Sequence, residues 1–251
     1  MNSGPRDVTL EPGFVLHARP YRDTSLLVEL LTRDHGRVGV VARGVRSGRS
    51  RLAGLLQPLQ PLALSWRSRA ELGSLRGAEP AGRPFLLRGR RLVSGLYANE
   101  LLIRLLGRED PHPGLFERYL TLLEGLAEGV SEPVALRGFE RDLLALLGYG
   151  LPLKRDTRDA PLVPDQWYRY DPAHGATPVA GPQTGGVVVS GATLLALASE
   201  SLTESTARAS RDLMRAALKP HLGNRPLKTR ELYSRFTARG EQENGPSSGQ
   251  P

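Results

Sequence analysis

The spacing of apolar residues changes period near residue 80, and no other feature of the chain restricts its fold as much. Between Gly13 and Glu79 the apolar residues come in short runs bounded by Gly, Pro and Asp, which is the pattern of strands. Residues 14–18, 25–32, 37–42, 59–66 and 71–76 make five strand candidates. Asp34-His35-Gly36 is a turn tripeptide in which Gly36 suits a positive φ, so residues 25–42 form a hairpin. Between the third and fourth strands lies RGVRSGRSRLAGLLQP, a basic loop followed by a helical turn or two. Five short strands with an excursion after the third fit a small, closed or nearly closed barrel of the OB type.

Beyond residue 84 the period is helical. Leu92, Leu96, Tyr97, Leu101, Leu102 and Leu105 follow 3–4 spacing, as do Leu115, Phe116, Tyr119, Leu122, Leu123 and Leu126. Ser131 reads as the N-cap of a third helix, with Pro133 in its first turn and Gly148 or Gly150 beyond its end. Residues 151–190 are rich in Pro, Gly and Asp, with short strands expected over 167–170 and 186–189. Helical spacing resumes over 193–198, 203–218 and 227–236, with Pro220 separating the last two. The first dozen residues are polar and aperiodic, and residues 239–251 read as a disordered tail. The expectation is an α+β, multidomain chain. Residues 1–80 form a DNA-binding barrel, 84–150 and 190–238 a helical domain, and 151–189 an irregular insertion with some β structure.

The 251 residues contain no cysteine, which excludes disulfides, thiolate zinc sites, Fe–S clusters and a cysteine nucleophile. The five His are isolated and lack metal-ligand spacing, and neither a Walker loop nor a G-x-S-x-G elbow is present. No constellation argues for catalysis, so the chain is not expected to be an enzyme, and no cofactor is expected. The N-terminus has no secretory h-region, and no apolar run is long enough to span a bilayer. A cytoplasmic, nucleoid-associated protein without membrane contact is expected.

The formal net charge is +8, which favours a polyanionic partner. Its placement says more. Residues 36–70 hold Arg37, Arg43, Arg46, Arg49, Arg51, Arg67 and Arg69 and no carboxylate. The loop carrying Arg43, Arg46, Arg49 and Arg51 is too rich in Gly and Ser to bury them, which leaves their guanidinium groups free for phosphates. On a helix through 206–219, Arg208, Arg211, Arg215 and Lys219 share a face, and Arg225, Lys228 and Arg230 follow. The DNA-contacting candidates are therefore Arg37, Arg43, Arg46, Arg49, Arg51, Arg67, Arg208, Arg211, Arg215, Lys228 and Arg230. The barrel region offers only Phe14, Tyr21 and Trp66 as aromatic residues, too few for a stacking ladder. Backbone contact on single- or double-stranded DNA is the expected mode.

Five segments in register resemble one family, the RecO recombination mediators. They are FVLHARPYRDTSLLVELLTRDHGRVGVVARGVRS, LLQPLQPLAL, SGLYANELLIRLL, ALRGFERDLLALLGYG and ALKPHLGNRPLKTRELYSRF. The resemblance implies a recombinational repair protein that binds single- and double-stranded DNA and anneals complementary strands. It implies binding to the acidic, Phe-ended tail of the single-stranded DNA-binding protein and, with RecR, promotion of RecA loading. Arg137, in ALRGF, matches a family position implicated in tail binding. Phe116, Tyr119 and Leu143 are candidates for that pocket's wall, and each also reads as a core residue. Many members carry a four-cysteine zinc element, but residues 151–189 contain none of those cysteines, so zinc does not carry over. An OB-type RNA-binding regulator with a helical interaction domain is the alternative from another class.

Overall fold

A computed structural model describes residues 6–47, 50–68, 72–182, 185–199 and 201–233. The proposed tail over 239–251 lies outside the described residues, as do Arg49 and Arg69. Five strands run β1 (Arg6–Tyr21), β2 (Ser25–Thr32), β3 (Gly36–Ala42), β4 (Pro61–Ser68) and β5 (Gly73–Pro80), with α1 (Leu52–Leu55) in the excursion after β3. They close into a barrel in the order β1-β2-β3-β5-β4. The closing contacts are an antiparallel β1/β4 pair and a parallel β3/β5 pair at Val40–Gly73 and Val41–Ser74. Closure leaves no sheet edge and turns every second side chain inward. Val15, Leu62, Leu64 and Trp66 are buried, as are Phe14, Leu16, Val28, Leu30 and Val40, with Phe14 packing on Phe85.

Within the polar opening of the chain, residues 6–12 are ordered into a strand. They belong to β1 and pair with β4, Asp7 opposite Arg67 and Val8 opposite Trp66. A bulge at Leu10 (φ 52°) interrupts the alternation, and the Leu10 amide donates to Ser65 Oγ at 3.0 Å. That break in period hides the strand from a pattern reading.

By contacts the described chain divides into two units, residues 6–30, 39–106 and 224–233 in the first and 31–38 and 107–223 in the second. The first unit includes α2 (Gly89–Leu105) as well as the barrel. Asn99 on α2 donates to the Leu16 carbonyl of β1 at 3.1 Å. The expected boundary at residue 84 thus follows the change in apolar period, while the contact boundary falls after Leu106.

The second unit is built on α3 (Leu115–Glu128) and α4 (Glu132–Leu146), followed by β6 (Trp167–Asp171), β7 (Gly175–Val179), β8 (Val187–Ser190), α5 (Gly191–Ala198), α6 (Glu204–Ala209) and α7 (Arg211–Leu222). Leu115, Tyr119, Leu122, Leu123, Leu126, Phe139, Leu143 and Leu144 form its helical core. Ser131 is at the N-cap position of α4, yet its hydroxyl makes no capping bond. The helix expected through 203–218 is two helices meeting at Ser210 (ψ −1°). The buried Ser210 hydroxyl donates to the Ala207 carbonyl at 3.1 Å and competes with the regular ladder. Pro220 does not end α7, because it falls in the last turn and forfeits a single backbone bond.

The tip of the β2–β3 hairpin also belongs to the second unit. Gly36 adopts φ +64°, and an added Cβ would lie 2.4 Å from the Asp110 carbonyl oxygen. The Glu109 amide donates to the Arg37 carbonyl at 2.8 Å. The insertion is a sheet in the order β7-β6-β8, of which β7 was not expected from the sequence. It is held without cysteine. Leu153, Leu162, Tyr168, Tyr170, Ala176 and Val189 are buried, and Asp156 Oδ1 accepts the Arg158 and Ala160 amides at 2.8 and 2.9 Å.

Candidate nucleic-acid interface and partner groove

The loop after β3 is more fixed than its Gly and Ser content suggests. Val45 is buried in its middle, and the Arg46 amide donates to the Thr24 carbonyl at 2.9 Å. The Arg46 guanidinium lies 3.4 Å from the Arg22 and Asp23 carbonyls. Arg46 is exposed but not wholly free, which corrects the expectation for this loop. The tie carries the loop to the β1–β2 turn, where exposed Arg22 adds a cation that pattern reading missed and exposed Asp23 an opposing charge. Arg43 and Arg51 are exposed and make no ion pair with any described residue.

The other Arg of residues 36–70 behave differently. Arg67 Nε and Nη2 meet the two Asp7 carboxylate oxygens at 2.7 and 2.6 Å, a bidentate pair. Asp7 is 60 residues away in sequence, and barrel closure delivers it into the acid-free stretch. Arg37 is half-buried, and its Nε is shielded from solvent.

The C-terminal cations fall into two groups. Arg208, Arg211 and Arg215 are exposed in the second unit, and each has a carboxylate neighbour. Arg208 pairs with Glu204, and Arg211 and Arg215 each lie 3.7 Å from Asp212. Lys228 and Arg230 are exposed on a helical segment, residues 228–233, in the first unit. Glu100 of α2 fixes the start of that segment, accepting the Lys228 and Thr229 amides at 2.9 Å each and the Thr229 hydroxyl at 2.8 Å. Burial pushes the Glu100 carboxyl up, but those three bonds and the Arg104 charge outweigh it and hold it below its usual value. The segment thereby lies along α2, where Arg90 stands 5.9 Å over the Tyr233 ring. Residues 80–99 contain Arg83, Arg88, Arg90 and Arg91 and no carboxylate, a second acid-free run that was visible in the sequence and overlooked.

The residues expected to bind a partner tail are brought together, but inside the second unit. Phe116, Tyr119 and Leu143 are core side chains. Arg137 is 8% exposed, and its Nη2 meets Glu140 Oε1 at 2.7 Å. Beside them, α3 and α4 border a groove of about 280 Å³. Leu122, Val130, Val134 and Phe139 give it an apolar lining, while Arg118, Arg141 and Asp142 supply charge. Asp142 bridges the two guanidinium groups, at 3.4 Å from Arg118 and 2.7 Å from Arg141. Arg118 is 48% exposed and Arg141 only 17%. Arg118 and Arg141 were not singled out in the sequence, although each is one helical turn or less from a residue that was.

Among the described residues no cluster of His, Asp or Glu could hold a metal ion. No helix among them is long and apolar enough to cross a membrane.

Two family models cover nearly all of this architecture. Recombination protein O N terminal matches residues 7–83, and Recombination protein O C terminal matches residues 87–231. The DNA repair protein RecO of Alkalilimnicola ehrlichii is 49% identical over 234 residues, spanning 92% of each chain. That of Coxiella burnetii is 48% identical over 227 residues, 90% of this chain and 97% of its own. That of Halorhodospira halophila is 47% identical, covering 89% and 95%. The chain belongs to the RecO family of DNA repair proteins.

Proposed function

We propose that this chain is a recombinational repair mediator that binds single- and double-stranded DNA through its barrel-bearing unit and anneals complementary strands. It also receives the acidic, Phe-ended tail of the single-stranded DNA-binding protein and, with RecR, promotes RecA loading. The observation that carries the reading is a closed five-stranded barrel whose β3–β4 loop presents Arg43 and Arg51 without ion-pair partners among the described residues. Such a loop binds phosphates with little sequence preference and releases counterions on doing so. Arg46 supports the loop's shape as well as its charge, so Arg43 and Arg51 are the sites to reverse.

The groove of the second unit suits the tail better than the buried residues do. A terminal Phe needs an apolar socket, and its carboxylate needs a cation at the mouth. Val130 and Val134, which are not buried, supply the first and Arg118 the second. Arg137 acts behind this surface through α4, as a positioning residue.

Affinity for a labelled oligonucleotide, measured against salt, tests the DNA part. Arg43→Glu with Arg51→Glu should weaken binding and lower the slope of log affinity against log salt by about 1.4–1.8. An unchanged slope rejects the placement. For the tail, Arg118→Glu should weaken an acidic Phe-ended peptide at least tenfold and leave DNA affinity unchanged. Equal peptide affinity rejects the groove. The RNA-binding alternative has no observation of its own in its favour.

A further inference from the structure

Leu86 is 82% exposed, the most exposed large apolar side chain among the described residues. Its exposure is built in. The Leu87 amide donates to the Phe85 carbonyl at 2.8 Å, which makes Leu86 the apex of a γ-turn. Both flanks are anchored. The Phe85 amide donates to the Leu59 carbonyl at 3.0 Å, and its ring packs on Phe14 with centroids 6.4 Å apart. Leu87 is buried and packs with Leu59 over Gly95, where an added Cβ would find both at 3.1–3.2 Å. A turn pinned on both sides holds a leucine outward at the start of α2.

The charge around it is one-sided. Arg83 and Arg88 are exposed, and neither makes an ion pair with a described residue. They stand three residues before Leu86 and two after it, within about 10 Å of backbone. Along the chain the nearest carboxylates are Glu79 and Glu100. An apolar tip between two unpaired guanidinium groups fits a polyanion that also exposes apolar faces, which is the chemistry of nucleic acid with accessible bases.

We propose that Leu86 contacts bases, and that with Arg83 and Arg88 it forms a nucleic-acid contact additional to the β3–β4 loop. The ligand is a single strand. Opening a duplex step costs base stacking and pairing, and that cost cancels what burying a leucine returns. A single strand presents base faces at little cost, so the leucine contributes net affinity there. Arg83 and Arg88 hold the flanking phosphates. This arrangement compensates for the scarcity of aromatic residues on the barrel and favours open strands, the substrate of annealing.

The inference rests on the DNA-binding reading above, and its test separates the two. The full-length chain is titrated into a labelled oligothymidylate and into a duplex of equal length. Leu86→Ala should weaken single-strand binding five- to tenfold and duplex binding less than twofold, with the salt slope unchanged because no phosphate contact is lost. Arg83→Glu with Arg88→Glu should lower that slope. In Leu86→Trp, a fluorescence quench on adding the single strand, larger than in wild type, supports base contact. Unchanged single-strand affinity in Leu86→Ala, or an equal loss on duplex, overturns the proposal even where Arg43→Glu with Arg51→Glu abolishes binding. Wild type with no DNA affinity overturns the DNA-binding reading itself. Leu86 is too exposed for its removal to endanger the fold.

Discussion

Replacing Arg137 by alanine should unfold the second unit at a lower temperature, for a reason internal to α4. Glu140 is 1% exposed, and Arg137 Nη2 stands 2.7 Å from its Oε1. Removing the guanidinium takes a cation from beside a buried carboxylate, a change that costs about 3–5 kcal/mol. For a chain of this length that corresponds to a melting temperature about 6–20 °C lower. The cost has a ceiling, since Glu140 would take up a proton rather than remain charged. That proton gives the experiment its sign. Losing an adjacent cation raises the folded-state pKa of Glu140 relative to wild type. The destabilisation therefore grows with pH as the carboxyl ionises, so the gap to wild type should be wider at pH 8 than at pH 5.5. Thermal unfolding at the two pH values measures it. Arg137→Met combined with Glu140→Leu removes both members of the pair and should recover part of the loss. A single variant melting within a degree or two of wild type at pH 8, or a double variant no better than the single, would refute the argument. The same pair decides how Arg137 serves the tail. If the refolded double variant still binds the Phe-ended peptide, the guanidinium is structural and Arg118 provides the cation.

Two further perturbations follow from the geometry. Gly36→Ala combines a left-handed φ with a Cβ placed 2.4 Å from the Asp110 carbonyl oxygen. It should cost about 2–3 kcal/mol. Faster hydrogen exchange at Glu109, whose amide bonds the Arg37 carbonyl, would report it, and unchanged exchange would count against it. Glu100→Gln replaces a carboxylate that accepts three bonds at the start of residues 228–233, and should cost about 1.5–3 kcal/mol. Because the Glu100 pKa is lowered on folding, its contribution is complete above the usual 4.5 and is lost as pH falls through the lower folded value. The protection of the Thr229 amide, taken relative to its intrinsic exchange rate at each pH, should thus fall in acid for wild type and lose most of that acid response in the variant.

Much of this fold was legible because most of its elements are buried on one face, and one-sided burial imposes period. β2 was read to its ends, and α3 and α4 to within a few residues. What escaped lacks one-sided burial. β1 runs through a bulge that shifts its register between Val8 and Glu11. β7, with Thr177, Pro178 and Val179 outside the core, shows no alternation strong enough to mark it. The break at Ser210 escaped because a buried serine looks polar in sequence, and its competing bond to Ala207 appears only in space. The groove proposed for the tail and the residues expected from the sequence share α3 and α4 but not the same faces. Apolar residues with the strongest helical spacing are core by construction, and a groove is lined in part by the neighbours that fall between core and surface, such as Val134 and Ala135.

The charge reading shows the same gap between sequence and space, with a numerical consequence. Residues 36–70 hold seven Arg and no carboxylate, which suggests a platform for many phosphates. Strand pairing dismantles part of it. Register places Asp7 against Arg67, packing half-buries Arg37, and loop closure spends part of Arg46 on two carbonyls. Among the described residues of that stretch, Arg43 and Arg51 keep their full charge for a ligand. Two or three phosphate contacts imply a salt slope of about 1.4–2.7 from this loop. A wild-type slope well above that range requires cations elsewhere in the chain. Arg83 and Arg88, without ion pairs to described residues and in the same unit as the barrel, are the first to account for it, and the excess should fall when both are reversed.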